Sequence, residues 1–486
     1  MNHDTTSSNK DSHSYSVVRT TRTTKFVLLT LARHKEGTWI TRLVDHLQRH
    51  PKKVLEKQSR DDDSKLQGRR LERLIIRVVA VEDLLRGPIC ISQLTTVLFD
   101  HERSDREDGS DDETLTTTVL VNRVSDAAPP HLFKATMALL QMASTISQNS
   151  SSPKRTVVVW NGPNAYSSCA SKWMHHVIFQ QAGLFYPSTA LLLFDRSKGG
   201  DLVDTNQDSS TELLTPAPHT KEQSYHAVTQ AATLCRQEYN DKRTSCDHTG
   251  QRSSGQMEFL FKPNAGGFGA GIVAFHGDIP KDENEIQSHR QPSQQESIGH
   301  AIGSLSDNTA VVQSYVPPKD GKLYRIWVLH GRIQCAVERQ LVDVNRPRDH
   351  EEVQQASRDS VTNEFVSGCT GTVCSLPKKN DRSRQEHEIS SNDTTNVIFS
   401  AWQVPKDVEV EVLEAFKVLG EDAHAGSIEF LQESDTGRRL YFDLNLLSTL
   451  PVVGETVKNE TGVWPDDYNP WEELAVELFQ YAGHYG

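Results

Sequence analysis

Lys262 begins a run of unusual composition, FKPNAGGFGAGI from Phe261 to Ile272, in which four glycines (Gly266, Gly267, Gly269 and Gly271) fall within six positions. Glycine-rich backbone presents N–H groups unobstructed by Cβ atoms, and such groups can close over phosphates. A Walker loop places its lysine after the glycines and ahead of a Ser or Thr. Here the lysine comes first, and no Gly-Lys-Ser/Thr occurs anywhere in the chain. A dinucleotide fingerprint opens a helix, whereas Ile272 to Phe275 reads as a strand. The unit is therefore strand, glycine turn, strand. Taken by itself it is either a phosphate flap or a mobile glycine turn between two edge strands.

A second constellation lies near the C-terminus. Gly426 to Leu431 and Arg439 to Leu446 read as two strands joined by a turn around Asp435, Thr436 and Gly437. Folding that hairpin about Thr436 sets Glu429 opposite Asp443, and strand alternation puts Asn445 on the same face as Asp443. Two carboxylates among Ile, Phe, Leu and Tyr are costly to bury without a cation. Hard oxygen ligands suit Mg²⁺, with Mn²⁺ as the alternative and phosphate oxygens completing the shell. The competing reading is a pair of edge-strand charges facing water.

Other groups could join these. Ser171 caps a helix that starts at Lys172 and ends at Gly183, with Trp173, Val177, Ile178 and Ala182 as its apolar stripe. VVQSYV, Val311 to Val316, reads as a strand, and Leu323 to Leu329 pairs with Ile333 to Glu338 through His330-Gly331. Arg325 lies in that hairpin, facing either a phosphate or solvent.

Strands at Phe26 to Leu31, Leu74 to Val81 and Thr118 to Arg123 alternate with helices at Thr38 to Leu47 and His131 to Met142, the pattern of a small parallel α/β domain. Val157 to Trp160 then starts a new segment. Polar tracts at 100–114, 144–154, 205–224, 237–256, 280–300, 345–362 and 378–395 are poor in aromatics and read as loop insertions.

The chain has 486 residues, enough for two or three domains. Its net charge of −13 without a basic stripe argues against nucleic-acid partners. Seven cysteines without a Cys-x-x-Cys pair argue against a zinc module or disulfide framework. No apolar run has the length of a membrane span, and the N-terminus has no signal-peptide core. The location expected is cytoplasmic, with an organellar transit peptide as the alternative.

In chain order, helix-start Lys172, Lys262 before a glycine flap, the VVQSYV strand, Arg325 and the Glu429, Asp443, Asn445 set together resemble the ATP-grasp superfamily, and within it the RimK-like ligases. The resemblance covers most of Asn161 to Pro451, and Val121 to Ser125 looks like the end of the small domain that precedes such folds. It implies an α/β (α+β) architecture, with a pre-ATP-grasp domain over 25–156 and an ATP-grasp domain over 157–486, after the Ser/Thr-rich stretch 1–24 that reads as a disordered tail. The ATP-grasp domain would divide into subdomains over about 190–312 and 313–486 that clasp ATP.

By the same resemblance, Lys172 and Lys262 would contact ATP phosphates, and Gly266, Gly267, Gly269 and Gly271 would cover them. Gln313, Ser314, Tyr315 and Val316 would hold adenine, Arg325 would face the transferred phosphate, and Glu429, Asp443 and Asn445 would bind Mg²⁺. Ser314 stands where the family carries glutamate, and Leu323 where it carries an acidic residue. The implied activity is Mg-ATP-dependent joining of a small-molecule or peptide carboxylate to an amine or thiol through an acylphosphate. The alternatives are a kinase of the inositol-polyphosphate type, with His330, Arg332, Arg339 and His424 as candidate phosphate ligands, and a non-catalytic nucleotide sensor.

Overall fold

Four apolar runs lie side by side in parallel at the start of the chain. They are β1 (Thr21–Thr30), β2 (Leu71–Ala80), β3 (Thr114–Asn122) and β4 (Arg155–Trp160), in the order β2-β1-β3-β4. The computed structural model describes residues 21–49, 71–84, 114–125, 128–149, 155–194, 221–244, 257–265, 272–276, 292–341, 397–454, 457–459 and 462–485. The continuous run Phe26 to Leu29 serves a sheet covered on both faces: Val27 and Leu29 enter one apolar cluster, Phe26 and Leu28 another. Helices α1 (Thr38–Arg49), α2 (Pro130–Asn149), α3 (Pro163–Cys169) and α4 (Lys172–Gln181) accompany this sheet and its exit.

Two expected limits shift. β1 begins inside the expected tail, and the boundary at residue 156 falls within β4, which pairs with β3 through Val157 to Trp160. Along α4 the buried residues are His175, His176, Ile178 and Phe179, while Trp173 and Val177 are only half-buried.

The second sheet is antiparallel, β5 (Thr189–Leu193), β6 (Glu258–Pro263), β7 (Val273–His276) and β8 (Thr309–Ser314), ordered β5-β8-β6-β7. It carries α5 (Lys221–Thr244) and α6 (Pro292–Gly303). Parts of the tracts at 144–154, 205–224, 237–256 and 280–300 are thus helical rather than looped. The reason is visible on α5, where Val228, Ala231, Ala232 and Cys235 form a buried i, i+3, i+4, i+7 stripe against Phe259 and Val312. A stripe made mostly of small residues is diluted by the polar majority around it. The expected Phe261–Phe275 hairpin is present, since β6 and β7 pair antiparallel.

The third sheet, also antiparallel, comprises β9 (Pro318–Leu329), β10 (Arg332–Leu341), β11 (Val397–Ala401), β12 (Ala425–Glu433) and β13 (Arg439–Asn445), ordered β11-β10-β9-β12-β13. The fold class expected from sequence, mixed α/β, is the one observed. His330 (φ 50°) and Gly331 (φ 71°) make the two-residue turn between β9 and β10, both in the left-handed region that such hairpins need. One face of this sheet buries Ile326, Val328, Ile428, Phe430 and Leu444 against Val408, Val412 and Phe416 of α7 (Lys406–Leu419). The helix α8 (Pro470–His484) packs on the first sheet, with Phe479 edge-on to Phe26 at 5.0 Å. Among the described residues, no helix is long and apolar enough to cross a membrane.

Asn161 joins the first and third sheets. It sits at φ 54°, a conformation asparagine tolerates better than most residues. Its Oδ1 accepts from the His424 and Ala425 N–H groups at 2.7 and 2.8 Å, and its Nδ2 donates to the Ala425 carbonyl at 2.8 Å. His424 itself packs against Trp160, Tyr481 and His330, and burial, then the neighbouring His330, lower its pKa from 6.5 to about 4. Between those values the unfolded chain takes the proton first, so stability falls as pH drops through that window and levels off below it. The expected loss is up to about 3 kcal/mol, and denaturant titrations from pH 7.5 to 4 should lose this slope in His424→Phe.

Candidate functional site

The face of the third sheet away from α7 is built in three cross-strand rows. Register places Leu323, Leu431 and Leu440 in the first, Arg325, Glu429 and Asp443 in the second, and Trp327, Ser427 and Asn445 in the third. Directly paired residues of antiparallel strands project on one side, so chemistry changes in steps along this face, from apolar to charged to hydrogen-bonding. The sequence about Thr436 conceals one device. Gln432 to Phe430 pair with Arg439 to Tyr441 in a register one residue off, and a bulge at Phe442 brings Glu429 opposite Asp443.

In the charged row Arg325 Nη1 stands 3.2 Å from Glu429 Oε1, and Arg325 Nε donates to Ser427 Oγ at 3.2 Å. Burial raises the Glu429 pKa above the ordinary carboxylate value and Asp443 adds to this, while Arg325, Arg339 and Lys262 pull it down. Asp443 Oδ1 also lies 3.5 Å from His175 Nδ1. That nitrogen accepts the Leu444 N–H at 3.3 Å, and Nε2 lies 3.0 Å from the Cys169 carbonyl, which fixes the neutral Nε2–H tautomer. In this tautomer the approach is no ion pair: Asp443 meets a lone pair on one side and a second carboxylate on the other.

An acceptor-rich pocket of that kind fits a hard divalent cation. The donor set is two carboxylates and the Asn445 amide; no group of three or more His, Cys, Asp or Glu suited to a metal occurs among the described residues. Asn445 Oδ1 also accepts the Leu447 N–H at 2.7 Å. Gly426 permits the close approach of this strand end, since a Cβ there would lie 2.9 Å from Leu446 Cδ2 and 3.0 Å from the Asn445 carbonyl.

Lys262 arrives from the second sheet and Lys172 from the start of α4. Lys262, at the end of β6, is buried; its Nζ donates to Gln313 Oε1 and lies 5.9 Å from the Phe442 ring centroid. Gln313 Nε2 stands 3.3 Å from His176 Nε2 and 3.4 Å from Thr189 Oγ1, so this glutamine orients Lys262. Burial, then His175 and the lysines Lys262 and Lys242, push the His176 pKa well down, which leaves it neutral beside the lysine.

Lys172 opens α4 under a cap that sequence reasoning missed. Asn264, two residues past Lys262, accepts the Lys172 N–H on its carbonyl at 2.9 Å and the Trp173 N–H on Oδ1 at 2.9 Å. Ser171 Oγ donates to the same Oδ1 at 3.0 Å and accepts the Met174 N–H at 3.4 Å. One asparagine therefore sets both lysine-bearing segments against each other. Asn264→Ala should cost about 1–2 kcal/mol of stability and weaken nucleotide binding severalfold. Thermal melts beside equilibrium ATP titrations check it, and a purely structural cap would move only the melt.

The remaining expected groups divide. Gly266, Gly267, Gly269 and Gly271 lie outside the described residues. Ser314 and Tyr315 donate their N–H groups to the carbonyls of Ser188 and Glu258 at 2.8 and 2.9 Å. Val316 joins Leu431 and Leu440 in an apolar cluster with Leu323, Phe442 and Tyr239. Beside it is a narrow crevice lined by Pro187, Ser188, Tyr239, Val316 and Leu440 together with Lys242 and Arg438. His175, His176, Ser427 and Asn264 carried no motif; each acts through contacts between segments distant in sequence.

No family model and no curated protein matches the sequence. Several solved structures align with most of the chain at low similarity. An ATP-grasp ligase, PsnB, complexed with minimal precursor shares 11% identity over 94% of this chain and 99% of that one, with a TM-score of 0.43. D-cycloserine synthetase DcsG shares 11% over 95% and 100%, with a TM-score of 0.42. D-alanine–D-alanine ligase from Bacillus anthracis complexed with ATP shares 9% over 96% and 100%, with a TM-score of 0.40. At identities and TM-scores this low, the site rests on its own residues.

Proposed function

We propose that the chain is an ATP-grasp enzyme of RimK-like type, a Mg-ATP-dependent ligase that joins a carboxylate to an amine or thiol. The observation that carries this reading is the cross-strand row Arg325, Glu429, Asp443, bordered by an apolar row on one side and reached by Lys262 from the facing sheet. That order suits a nucleotide: a flat apolar base over Leu323, Leu431, Leu440 and Val316, then phosphates among the charges. The second and third sheets would be the two halves that clasp it, with Lys172 and the glycine turn covering the phosphates.

Glu429, Asp443 and Asn445 would hold Mg²⁺, which when bound neutralises charge on phosphate oxygens. Lys262, held by Gln313, binds and orients the phosphates, and Arg325 stabilises charge on the phosphoryl group in transfer. A substrate carboxylate oxygen bonds to the γ-phosphorus as its bond to the bridging oxygen of ADP breaks, giving an acylphosphate and ADP. The amine or thiol then attacks the acyl carbon, phosphate leaves, and the nucleophile loses its proton. No side chain of the protein needs to form a covalent bond.

A polyphosphate kinase would need cations converging on this row. Arg332 instead pairs with Glu477 at 2.5 Å and with Glu473 at 3.8 Å, and His424 is packed among aromatics. Arg339 is the one of the four candidates that bears on Glu429. That distribution supports a carboxylate over an inositol polyphosphate.

The test is nucleotide release from Mg-ATP with pooled amino acids, small peptides and inositol phosphates, beside an Asp443→Ala, Asn445→Ala control. Substrate-dependent ADP with free phosphate, absent in the control, supports the ligase. ADP without free phosphate overturns it in favour of a kinase. ATP-dependent stabilisation without turnover overturns it in favour of a nucleotide sensor.

A further inference from the structure

Two consecutive histidines, His175 and His176, are buried on α4 one turn after Lys172. Successive residues of a helix diverge by about 100°, so neighbours in sequence reach different partners. α4 packs on β13 of the third sheet and on β5 of the second. His175 meets the first and His176 the second.

On the third-sheet side, His175 Nδ1 accepts the N–H of Leu444, the residue between the candidate ligands Asp443 and Asn445. The Cys169 carbonyl engages Nε2, so the ring is pinned at both nitrogens. Among the described residues β13 is the last strand of its sheet, with β12 as its one neighbour. The imidazole therefore supplies the acceptor that a further strand would supply, and it does so between two ligands. Its lone pair also faces Asp443 Oδ1 at 3.5 Å. The carboxylate gains nothing by turning toward α4 and is left for a cation.

On the second-sheet side the bonds can be assigned atom by atom. An ammonium only donates, so the Gln313 atom that meets Lys262 is Oε1. The Gln313 NH₂ group then faces His176 Nε2 and Thr189 Oγ1, while the Thr189 hydroxyl donates to the Pro187 carbonyl at 2.8 Å. Both neighbours of that NH₂ are acceptors. They hold the amide against the flip that would turn NH₂ toward the lysine. In this tautomer His176 carries its hydrogen on Nδ1, which is buried without a hydrogen-bond partner. An apolar ring could pack beside Phe179 and Tyr186 without that cost, so packing alone does not explain a histidine here.

We propose that His175 and His176 are positioning residues for the two halves of the site, His175 setting the metal ligands of β13 and His176, through Gln313, setting Lys262. Since α4 also begins with Lys172, one helix holds three parts of the site in register. The inference rests on the roles proposed above for Asp443, Asn445 and Lys262.

The test uses the full chain, Mn²⁺ followed by electron paramagnetic resonance, and a non-hydrolysable ATP analogue titrated calorimetrically without metal. Asn Oδ1 falls near the place of a histidine Nδ1, and Gln Oε1 near that of Nε2. His175→Leu should weaken Mn²⁺ binding in the presence of the analogue about tenfold or more, the scale usual for a group that orients a metal ligand. His175→Asn should restore most of it and His175→Gln should not. His176→Leu should weaken metal-free binding of the analogue about fivefold, as a misdirected charge-assisted contact would. There the rescue reverses, with His176→Gln restoring and His176→Asn not. If a leucine variant does not fold, the Asn and Gln pair at that position decides. Lowered melting temperatures with both affinities unchanged, or equal rescue by Asn and Gln, would make these histidines core residues and overturn the proposal. A wild type that binds neither Mn²⁺ nor the analogue overturns the nucleotide reading and this proposal together. A wild type that binds both, with every variant alike, overturns this proposal alone.

Discussion

Replacing Arg325 by methionine is expected to lower turnover about 10³-fold while leaving ATP affinity within about threefold. The arginine stands at the β9 end of the charged row, between Val337 of β10 and Glu429 of β12, with Ser427 holding its Nε. In the proposed mechanism its charge matters most where negative charge develops, on the phosphoryl group in transfer, and less for the bound ground state. Methionine keeps apolar volume over Trp327, so the loss reports charge rather than a cavity. Arg325 is also the strongest influence lowering the Glu429 pKa. Arg325→Lys separates the two duties, since lysine restores the charge near Glu429 without the planar fork. Steady-state kinetics on both variants check this, and unchanged turnover in Arg325→Met would remove the residue from the mechanism.

Asp443→Asn should have a larger effect on activity and the opposite effect on stability. Asp443 faces Glu429 across the hairpin and a lone pair of His175, so in the free protein its charge has poor company. Removing it should stabilise the free protein by roughly 1 kcal/mol, because repulsion within the row is relieved. The same change should abolish stabilisation by Mg-ATP and lower turnover by more than about 10³-fold. Thermal melts with and without Mg-ATP give both signs in one experiment. Solvated edge-strand charges would instead leave the melts alike in every condition.

The contrast between these residues and their neighbours explains what the sequence made legible. Glu429, Asp443 and Asn445 were readable because strand alternation and a turn at Asp435 to Gly437 are local signals, and the α/β class followed from strands alternating with helices. The bulge at Phe442 was not readable, since nothing in RLYFDLN marks which residue is extra. The helix α5 was obscured because Ala231, Ala232 and Cys235 form a narrow stripe within a polar segment. Gln313 carried an expectation of adenine contact largely through backbone groups; the bond of its side chain to Lys262, a partner 51 positions away, was not readable. Asn264 and Arg123 were missed for the same reason: their partners at Lys172 and Leu447 lie 92 and 324 positions away, and no period or spacing encodes such pairs.

The central claim is that the row of Glu429 and Asp443, with Asn445, is a divalent-metal site completed by nucleotide. Its most direct test is equilibrium Mn²⁺ binding followed by electron paramagnetic resonance, with and without a non-hydrolysable ATP analogue, on the wild type and on Asp443→Asn with Asn445→Ala. The expected result is Mn²⁺ binding that tightens at least about tenfold when the analogue is present and is lost in the double variant. Mn²⁺ binding that ignores the nucleotide, or that persists unchanged in the double variant, would contradict it.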